Sequence, residues 1–211
     1  MMIKEFEKRL LTSLILIPTS IFFVVKGSIF FIFFLSILFL VASYEWVLMN
    51  KKNNIFRFLG IIFLFFSFYS AFFLRDALGP DFLLFIIFVC IFTDIGGYVF
   101  GKFLKGPKLT KISPNKTYAG VGGSFILSLT AGLIFLKISE DELFNSYTID
   151  FLILIFIISL ISQIGDLIIS YFKRKAKIKD TGKFLPGHGG FLDRIDGLIF
   201  VIPIIYFYTI I

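Results

Sequence analysis

The chain has 211 residues, of which 58% are hydrophobic and 32 are phenylalanine, and its formal net charge is +7. Soluble domains are about 45–50% apolar and do not carry apolar runs of about 18 residues or more. The composition therefore excludes an ordinary soluble protein and predicts an all-α polytopic membrane protein. In such a protein an excess of cations reports topology, so the charge does not predict nucleic-acid binding. The single cysteine, Cys90, excludes an intrachain disulfide and a cysteine-based metal site.

Apolar residues occur in seven segments that are candidates for membrane helices. They lie near residues 10–25, 29–49, 58–74, 82–100, 118–136, 151–172 and 197–211. The first and last segments are shorter than the about 17–25 residues that a spanning helix usually needs. Cations precede the first segment as in a signal peptide, but no small-residue cleavage site follows it. We therefore expect this segment to be retained as a helix.

The distribution of cations predicts the orientation of the chain. With the N-terminus and the second, fourth and sixth loops on one side, that side receives 18 of the 21 Lys and Arg residues. The other side receives only Lys26, Arg75 and Lys137. The positive-inside rule then predicts a cytoplasmic N-terminus and an outside C-terminus.

Small residues recur every four positions in two neighbouring segments, which predicts close helix packing. The stripes consist of Thr93, Gly97 and Gly101 in the fourth segment and Gly120, Ser124, Ser128 and Gly132 in the fifth. The sequence leaves open whether the two stripes meet within one chain or across a homodimer.

Three acidic residues, Glu45, Asp94 and Asp166, lie inside apolar segments near the predicted cytoplasmic side. Ionisable groups in membrane helices are costly and usually functional. A hydrogen bond or ion pair of purely structural role is the alternative for each, and it has most weight for Glu45. The sixth segment also carries polar residues on one helical face, which predicts a wet, protein-lined site. They are Ser159, Gln163, Asp166, Ser170 and Lys173.

The stretch from Gln163 to Gly197 combines acidic residues with many cations, a composition that suits a metal ion and polyphosphate. Mg²⁺ favours carboxylates together with substrate phosphate oxygens. Asp166, Asp193 and Asp196 are the predicted ligands, and the last two would share a face if the seventh helix began there. Helix capping is the alternative role for that pair. Arg194, between them, can bind two phosphate oxygens with its planar side chain.

Pro186 to Gly190 form a glycine-rich turn whose backbone amides we expect to close on phosphate. His188 is the only histidine, so zinc is not expected and a phosphate contact is favoured. The loop between the fourth and fifth segments adds five lysines and the hydroxyls of Ser113 and Thr117. By itself that loop is typical of a basic cytoplasmic segment that anionic lipid attracts.

Two regions resemble a known family, the phosphatidate cytidylyltransferases, also called CDP-diacylglycerol synthases. Ser170 to Asp196 read S-x-F-K-R-x₄-K-D-x-G-x₂-L-P-x-H-G-G-F-x-D-R-I-D, which resembles the family signature at every defining position. The second region is residues 94–120, where the matching positions are Asp94, Gly97, Tyr98, Gly101, Lys111 to Pro114, Lys116 and Thr117. It departs from the family at Asn115, where lysine is common, and at Tyr118-Ala119, where an aromatic residue and often a glutamate are found.

The resemblance implies that CTP and phosphatidate give CDP-diacylglycerol and pyrophosphate, with Mg²⁺ and an optional second cation. We expect one integral membrane domain over residues 1–211, with no motif in 1–80 and the catalytic part in 88–199. The expected location is a bacterial inner membrane with the active site on the cytoplasmic side. The catalytic candidates are Asp166, Asp193, Asp196, Lys173 and Arg194, of which the three aspartates are the metal ligands. The candidates for substrate binding are Ser113, Lys116, Thr117, Ser170, Arg174, Lys179, Asp180, His188, Gly189, Gly190, Asp94 and Tyr98.

Two alternatives remain from the residues themselves. A CTP-dependent lipid kinase or an archaeal-type CDP-lipid synthase would use a related site, and a kinase would release CDP instead of pyrophosphate. A transporter for an organic phosphate would use similar cations and carboxylates, but it should have two-sided access. The charged residues here cluster on one predicted side, which favours the enzyme.

Overall fold

A computed structural model describes residues 2–110, 112–139, 144, 149–187 and 189–210. Within these ranges the chain forms helices and no β-strand. The helices are α1 (Met2–Lys26), α2 (Ser28–Met49), α3 (Asn54–Leu104), α4 (Tyr118–Ile138), α5 (Ile149–Lys175), α6 (Leu192–Ile195) and α7 (Leu198–Ile210). Helices α2 to α5 are long and apolar enough to cross a membrane, and α1 and α7 contain shorter apolar stretches. The predicted all-α polytopic class is confirmed.

Helix α3 joins two segments that the sequence predicted as separate, near 58–74 and 82–100. It has 51 residues, and at about 1.5 Å per residue it is roughly 76 Å long, more than twice the ~30 Å of a bilayer core. The helix is interrupted at Gly79, whose φ of 85° and ψ of 167° are not helical, and Pro80 follows it. Glycine permits the positive φ, and proline lacks the amide that would continue the helix. The two arms of α3 therefore meet without an intervening loop.

Arg75 holds the end of α1 against α3. Its Nε and Nη2 donate to the carbonyl oxygens of Val24 and Val25, at 3.0 and 3.1 Å. Carbonyl groups in the last turn of a helix lack helical partners, so these bonds satisfy them. Gly27, with φ 67°, follows α1, and a Cβ on it would lie 2.1 Å from Arg75 Nη2. Glycine is therefore required for this close approach.

The two stripes of small residues pack against each other within one chain, along α3 and α4. Ser124 Oγ donates to the Thr93 carbonyl oxygen at 2.8 Å, and a Cβ on Gly97 would lie 2.9 Å from the same Oγ. The closest approach is at Gly96, which the predicted stripe did not include. A Cβ there would lie 2.4 Å from the carbonyl oxygen of Gly123. This contact fixes the start of α4 beside the second arm of α3.

We predict that Gly96→Ala destabilises the protein in detergent and that Gly122→Ala does not. The new methyl group at Gly96 would overlap the α4 backbone, which cannot rotate away, and overpacking of this kind costs about 1–3 kcal/mol. A Cβ on Gly122 would meet no heavy atom within 4 Å. Thermal unfolding of both variants in the same detergent measures the difference. Equal Tm values would contradict the close α3–α4 contact.

One of the two apolar cores includes residues from the loop that connects α5 to α6. Its members are Ala42, Trp46, Met49, Leu64, Ile169, Leu185, Phe191, Leu192 and Ile199. Leu185 and Phe191 lie in the loop and Leu192 lies in α6, whereas the other members come from α2, α3, α5 and α7. Burial of an apolar side chain contributes about 1.5–3 kcal/mol. The apolar contacts therefore hold this loop against the helices, and the polar contacts described below are built on that base.

Candidate active site

The candidate site is built around Asp166, in the last three turns of α5. Its Oδ2 forms an ion pair with Lys116 Nζ at 2.5 Å, and the two side chains are 28% and 26% exposed. Its Oδ1 accepts a hydrogen bond from Ser170 Oγ at 3.2 Å, since residues four apart lie on one helix face. Lys116 comes from the loop between α3 and α4. Lys116 of one motif region therefore pairs with Asp166, which is hydrogen-bonded to Ser170, the first residue of the other region.

Asp166 belongs to a cluster of carboxyl groups. The Asp196 carboxyl shares a hydrogen bond with that of Asp166, and its Oδ1 accepts from the Gly197 amide at 2.9 Å. Burial, followed by the negative charges of Asp166 and Asp94, raises the pKa of Asp196 well above its ordinary range. Lys173 opposes this rise with its positive charge. Burial and the neighbouring negative charges both disfavour the ionised form of Asp196, and a cation bound beside the cluster would favour that form.

Asp193 forms a second group whose partners are different. Its Oδ1 accepts from Lys173 Nζ at 2.7 Å, in an ion pair whose side chains are only 9% and 11% exposed. Its Oδ2 accepts from the Thr181 amide at 2.7 Å and from Thr181 Oγ1 at 3.1 Å. Protein donors therefore engage both oxygens of Asp193. One turn of α5 separates Ser170 from Lys173, so α5 carries both groups.

The interpretation that Asp193 and Asp196 share one helix face was conditional on the seventh helix beginning there. In the structure α6 ends at Ile195, Asp196 follows it with helical φ and ψ of −59° and −34°, and α7 begins at Leu198. Asp193 contacts the loop and Lys173, whereas Asp196 contacts Asp166. In the ranges given above, no three His, Cys, Asp or Glu side chains are arranged to hold a metal ion together.

Two carboxyl groups that do lie together are those of Asp166 and Asp196. Mg²⁺ is commonly held by one or two carboxylates, with substrate phosphates and water completing its six ligands. The oxygen donors of this pair therefore fit Mg²⁺. Asp193 is less accessible to a metal ion, because its side chain is 9% exposed and accepts from Lys173 and Thr181, whereas the side chain of Asp166 is 28% exposed.

The glycine-rich turn closes on itself. Leu185 N donates to Gly189 O at 2.9 Å, and Gly189 N donates to Leu185 O at 3.1 Å. Gly187 and Gly189 have φ values of 77° and 86°, in the left-handed region that favours glycine. The Gly189 amide, which the sequence assigned to phosphate, is thus used by the turn itself. His188, the predicted phosphate contact, lies outside the described residues.

Glu45, on α2, binds the loop between α5 and α6, although it lies far from that loop in the sequence. Its side chain is 2% exposed. The donors to it are Phe191 N at 2.9 Å, Leu192 N at 2.8 Å and Thr181 Oγ1 at 2.8 Å. A Cβ on Gly190 would lie 1.9 Å from Thr181 Oγ1 and 2.9 Å from Glu45 Oε2, so glycine is needed there. The sequence singled out Glu45 as an intramembrane acid, but it gave no signal for partners 136 or more positions away.

Other predicted substrate residues make contacts that support these loops. Thr117 Oγ1 caps α4 by accepting from the Gly120 amide at 3.1 Å. Arg174 donates to the carbonyl oxygens of Ile112 and Ile178, at 3.3 and 3.4 Å, and so connects the two loops. Each of these bonds shapes the backbone around the site.

The remaining candidates lie at the edge of the site. Ser113 O accepts from Lys116 N at 3.0 Å in a tight turn. Tyr98, a candidate for substrate binding, is 67% exposed, and its hydroxyl accepts from Lys102 Nζ at 3.3 Å. Lys179, Asp180 and Arg194 are exposed. The positive charge of Arg194 is close enough to act on Asp94.

Known proteins resemble this chain over most of its length. Residues 58–211 match the model of the cytidylyltransferase family. A phosphatidate cytidylyltransferase of Staphylococcus saprophyticus is 42% identical over 128 residues, which are 60% of this chain and 48% of that protein. One from Bacillus subtilis is 40% identical over 129 residues, 59% of this chain and 47% of that protein. One from Rickettsia bellii is 34% identical over 207 residues, 94% of this chain and 88% of that protein.

These matches differ in how much of each relative they cover. The chain spans about half the length of the Staphylococcus and Bacillus relatives and most of the Rickettsia relative. Its apolar helices and its bacterial relatives identify it as an integral membrane protein. The resemblance predicted from the two motif regions is confirmed, and the chain belongs to the cytidylyltransferase family.

Proposed function

We propose that this protein is a phosphatidate cytidylyltransferase, which converts CTP and phosphatidate to CDP-diacylglycerol and pyrophosphate. The observation that carries the proposal is the ion pair between Lys116 and Asp166. Together with the hydrogen bond from Ser170 to Asp166, it connects the two motif regions, and the cations and carboxylates of this site would suit phosphate and a metal ion. The names of the relatives, phosphatidate cytidylyltransferase in each case, support the same reaction.

The transfer requires positioning and neutralisation of charge more than covalent help from the protein. A phosphate oxygen of phosphatidate attacks the α-phosphorus of CTP, and the bond from that phosphorus to the bridging oxygen of the β-phosphate breaks. Pyrophosphate leaves with that oxygen. Because the second pKa of a phosphomonoester is about 6, the attacking group is already ionised and needs no general base.

The residues of the site would have different roles in this transfer. Lys116 and Lys173 would bind phosphate oxygens, since both ammonium groups lie against carboxylates in the same site. Asp166 and Asp196 would hold Mg²⁺, which supplies positive charge to the phosphates of CTP when bound. Asp193, predicted as a third ligand, would orient Lys173. The exposed Lys179 and Arg194 would contact the phosphates at the mouth of the site.

We further propose that the site faces the cytoplasm of a bacterial inner membrane. CTP would enter from water, and phosphatidate would enter from the adjacent leaflet. If the chain crosses the membrane seven times and the side with 18 of its 21 cations is the inner side, the C-terminus is outside. A C-terminal fusion to alkaline phosphatase in a bacterial host is therefore expected to be active, and a fusion to green fluorescent protein is expected to be dark. The reverse pattern would contradict this topology.

Pyrophosphate release by the purified protein tests the proposed reaction. With CTP, Mg²⁺ and phosphatidate we expect pyrophosphate and CDP-diacylglycerol in equal amounts. Omission of phosphatidate, or its replacement by diacylglycerol, is expected to abolish both products. Release of CDP with diacylglycerol would identify a lipid kinase, and movement of an organic phosphate across sealed vesicles without chemistry would identify a transporter.

A further inference from the structure

We propose that Glu45 is a positioning residue: it fixes the loop between α5 and α6 so that Asp193 holds Lys173 in the active site. For its kinetic part, this inference rests on the proposed function. Glu45 lies on α2, before residues 58–211, which the family model matches. It gives the N-terminal helices, which carry no motif, a role in the site.

Thr181 connects the two carboxylates. Its Oγ1 lies 2.8 Å from Glu45 Oε2 and 3.1 Å from Asp193 Oδ2, and its amide donates to Asp193 Oδ2 at 2.7 Å. The one hydroxyl proton can serve only one of the two carboxylates at a time. The hydrogen bond from the Thr181 amide already binds Asp193, so the Thr181 hydroxyl can donate its proton to Glu45. Asp193 Oδ1 then remains for Lys173 Nζ, at 2.7 Å.

A carboxylate is the group that matches the donors around Glu45. Oε1 accepts from Phe191 N, and Oε2 accepts from Leu192 N and Thr181 Oγ1. Amides at the start of a helix have no helical partner, so Glu45 satisfies two of those at the start of α6. Glutamine has one acceptor oxygen, and its amino group would face one of the donors. Glu45→Gln therefore keeps the shape of the side chain and leaves a buried donor unsatisfied.

A second bond ties the loop to the N-terminal helices. Thr12 Oγ1, on α1, donates to Pro186 O at 2.9 Å. Leu185 and Phe191 are buried in the core that contains Trp46 of α2. The loop is thus held at its tip by α1 and at its end by Glu45, and directly after that end Asp193 on α6 pairs with Lys173 on α5.

The test compares Glu45→Gln and Thr181→Val with two controls. Thr181→Val removes the hydroxyl at nearly constant shape, and Thr181→Ser keeps it. Ser43→Ala removes a buried hydroxyl on the same helix that has no hydrogen-bond partner among the described residues. For each variant, kcat and KM for CTP are measured in detergent, together with the rate of tryptic cleavage after Lys177, Lys179 or Lys183.

We expect Glu45→Gln and Thr181→Val each to lower kcat by about 10- to 100-fold, the usual effect of losing an orienting partner. KM for CTP should change much less, since Lys116 and Asp166 keep their contacts. Cleavage of the loop should accelerate in both variants. Thr181→Ser and Ser43→Ala should resemble the unchanged protein. The double variant should lose little more than either single one, because both changes break the same connection.

Unchanged kcat and unchanged cleavage in Glu45→Gln would overturn the inference, as would fully multiplicative losses of kcat in the double variant. If Glu45→Gln does not accumulate in the membrane, the comparison of Thr181→Val with Thr181→Ser decides the matter. If the unchanged protein releases no pyrophosphate, the proposed function fails. The cleavage rates still decide whether Glu45 holds the loop.

Discussion

Asp166→Asn is expected to lower turnover by about 100-fold or more while the helices remain folded. The change keeps the shape of the side chain but removes the charge that pairs with Lys116 and accepts from Ser170. It also removes one of the two carboxylates proposed for Mg²⁺. The Tm should change little, because the ion pair with Lys116 is partly exposed and contributes about 0–1 kcal/mol, and relief of repulsion with Asp196 opposes its loss. Steady-state kinetics and thermal unfolding of the purified variant measure both effects.

Asp150→Asn is the matched control for this prediction. Asp150 lies in the first turn of the same helix, at the end away from the site, and is exposed. The same chemical change there should leave turnover unaltered. Near-normal activity of Asp166→Asn at saturating Mg²⁺ would remove Asp166 from the mechanism.

Lys173→Gln is expected to lower both turnover and stability. Its ammonium group forms an ion pair with Asp193, in which both side chains are about one-tenth exposed (11% and 9%). Breaking a buried pair by removing one partner costs about 3–5 kcal/mol, because the other charge is left uncompensated. Turnover should fall as well, since Lys173 is proposed to bind phosphate. Thermal unfolding and kcat are measured on the same preparation.

A second substitution separates the two effects. Adding Asp193→Asn removes the uncompensated charge, so the double variant should recover most of the lost stability without recovering turnover. Lys175→Gln is the control, because Lys175 is exposed and has no role in the proposed site. It should keep its turnover, and loss of its contact with the Phe56 ring, 4.2 Å from the centroid, should cost no more than about 1 kcal/mol. If the double variant regained full turnover, Lys173 would only balance Asp193.

Hydropathy and cation counts were enough to predict the helices, because a membrane helix needs a long apolar run and little else. The junction within α3 was missed for a physical reason. Arg75, Asp76 and Asp81 surround Gly79-Pro80, and such a cluster is typical of a loop. In the structure Arg75 instead bonds to the last carbonyl groups of α1, and only Gly79 leaves the helical conformation. Local composition does not report a partner on another helix.

The same limit applies to the site. The spacing of Asp166, Ser170 and Lys173 predicted one helix face, and the structure uses that face. The partners of Asp193 and Asp196 could not be predicted from spacing, because Asp193 is bound by Thr181 in the preceding loop, whereas Asp196 meets Asp166 on α5. Glu45 was recognised as costly, but its function depends on amides 146 and 147 residues away. Only the folded chain brings these together.

The central claim is that the cytidylyl group of CTP is transferred to phosphatidate. It is tested most directly by following CTP labelled at the α-phosphorus or at the γ-phosphorus through the reaction of the purified protein. We predict that the α label enters the lipid phase only when phosphatidate is present, while the γ label appears as pyrophosphate. A γ label in the lipid, or no label in the lipid under any condition, would contradict it.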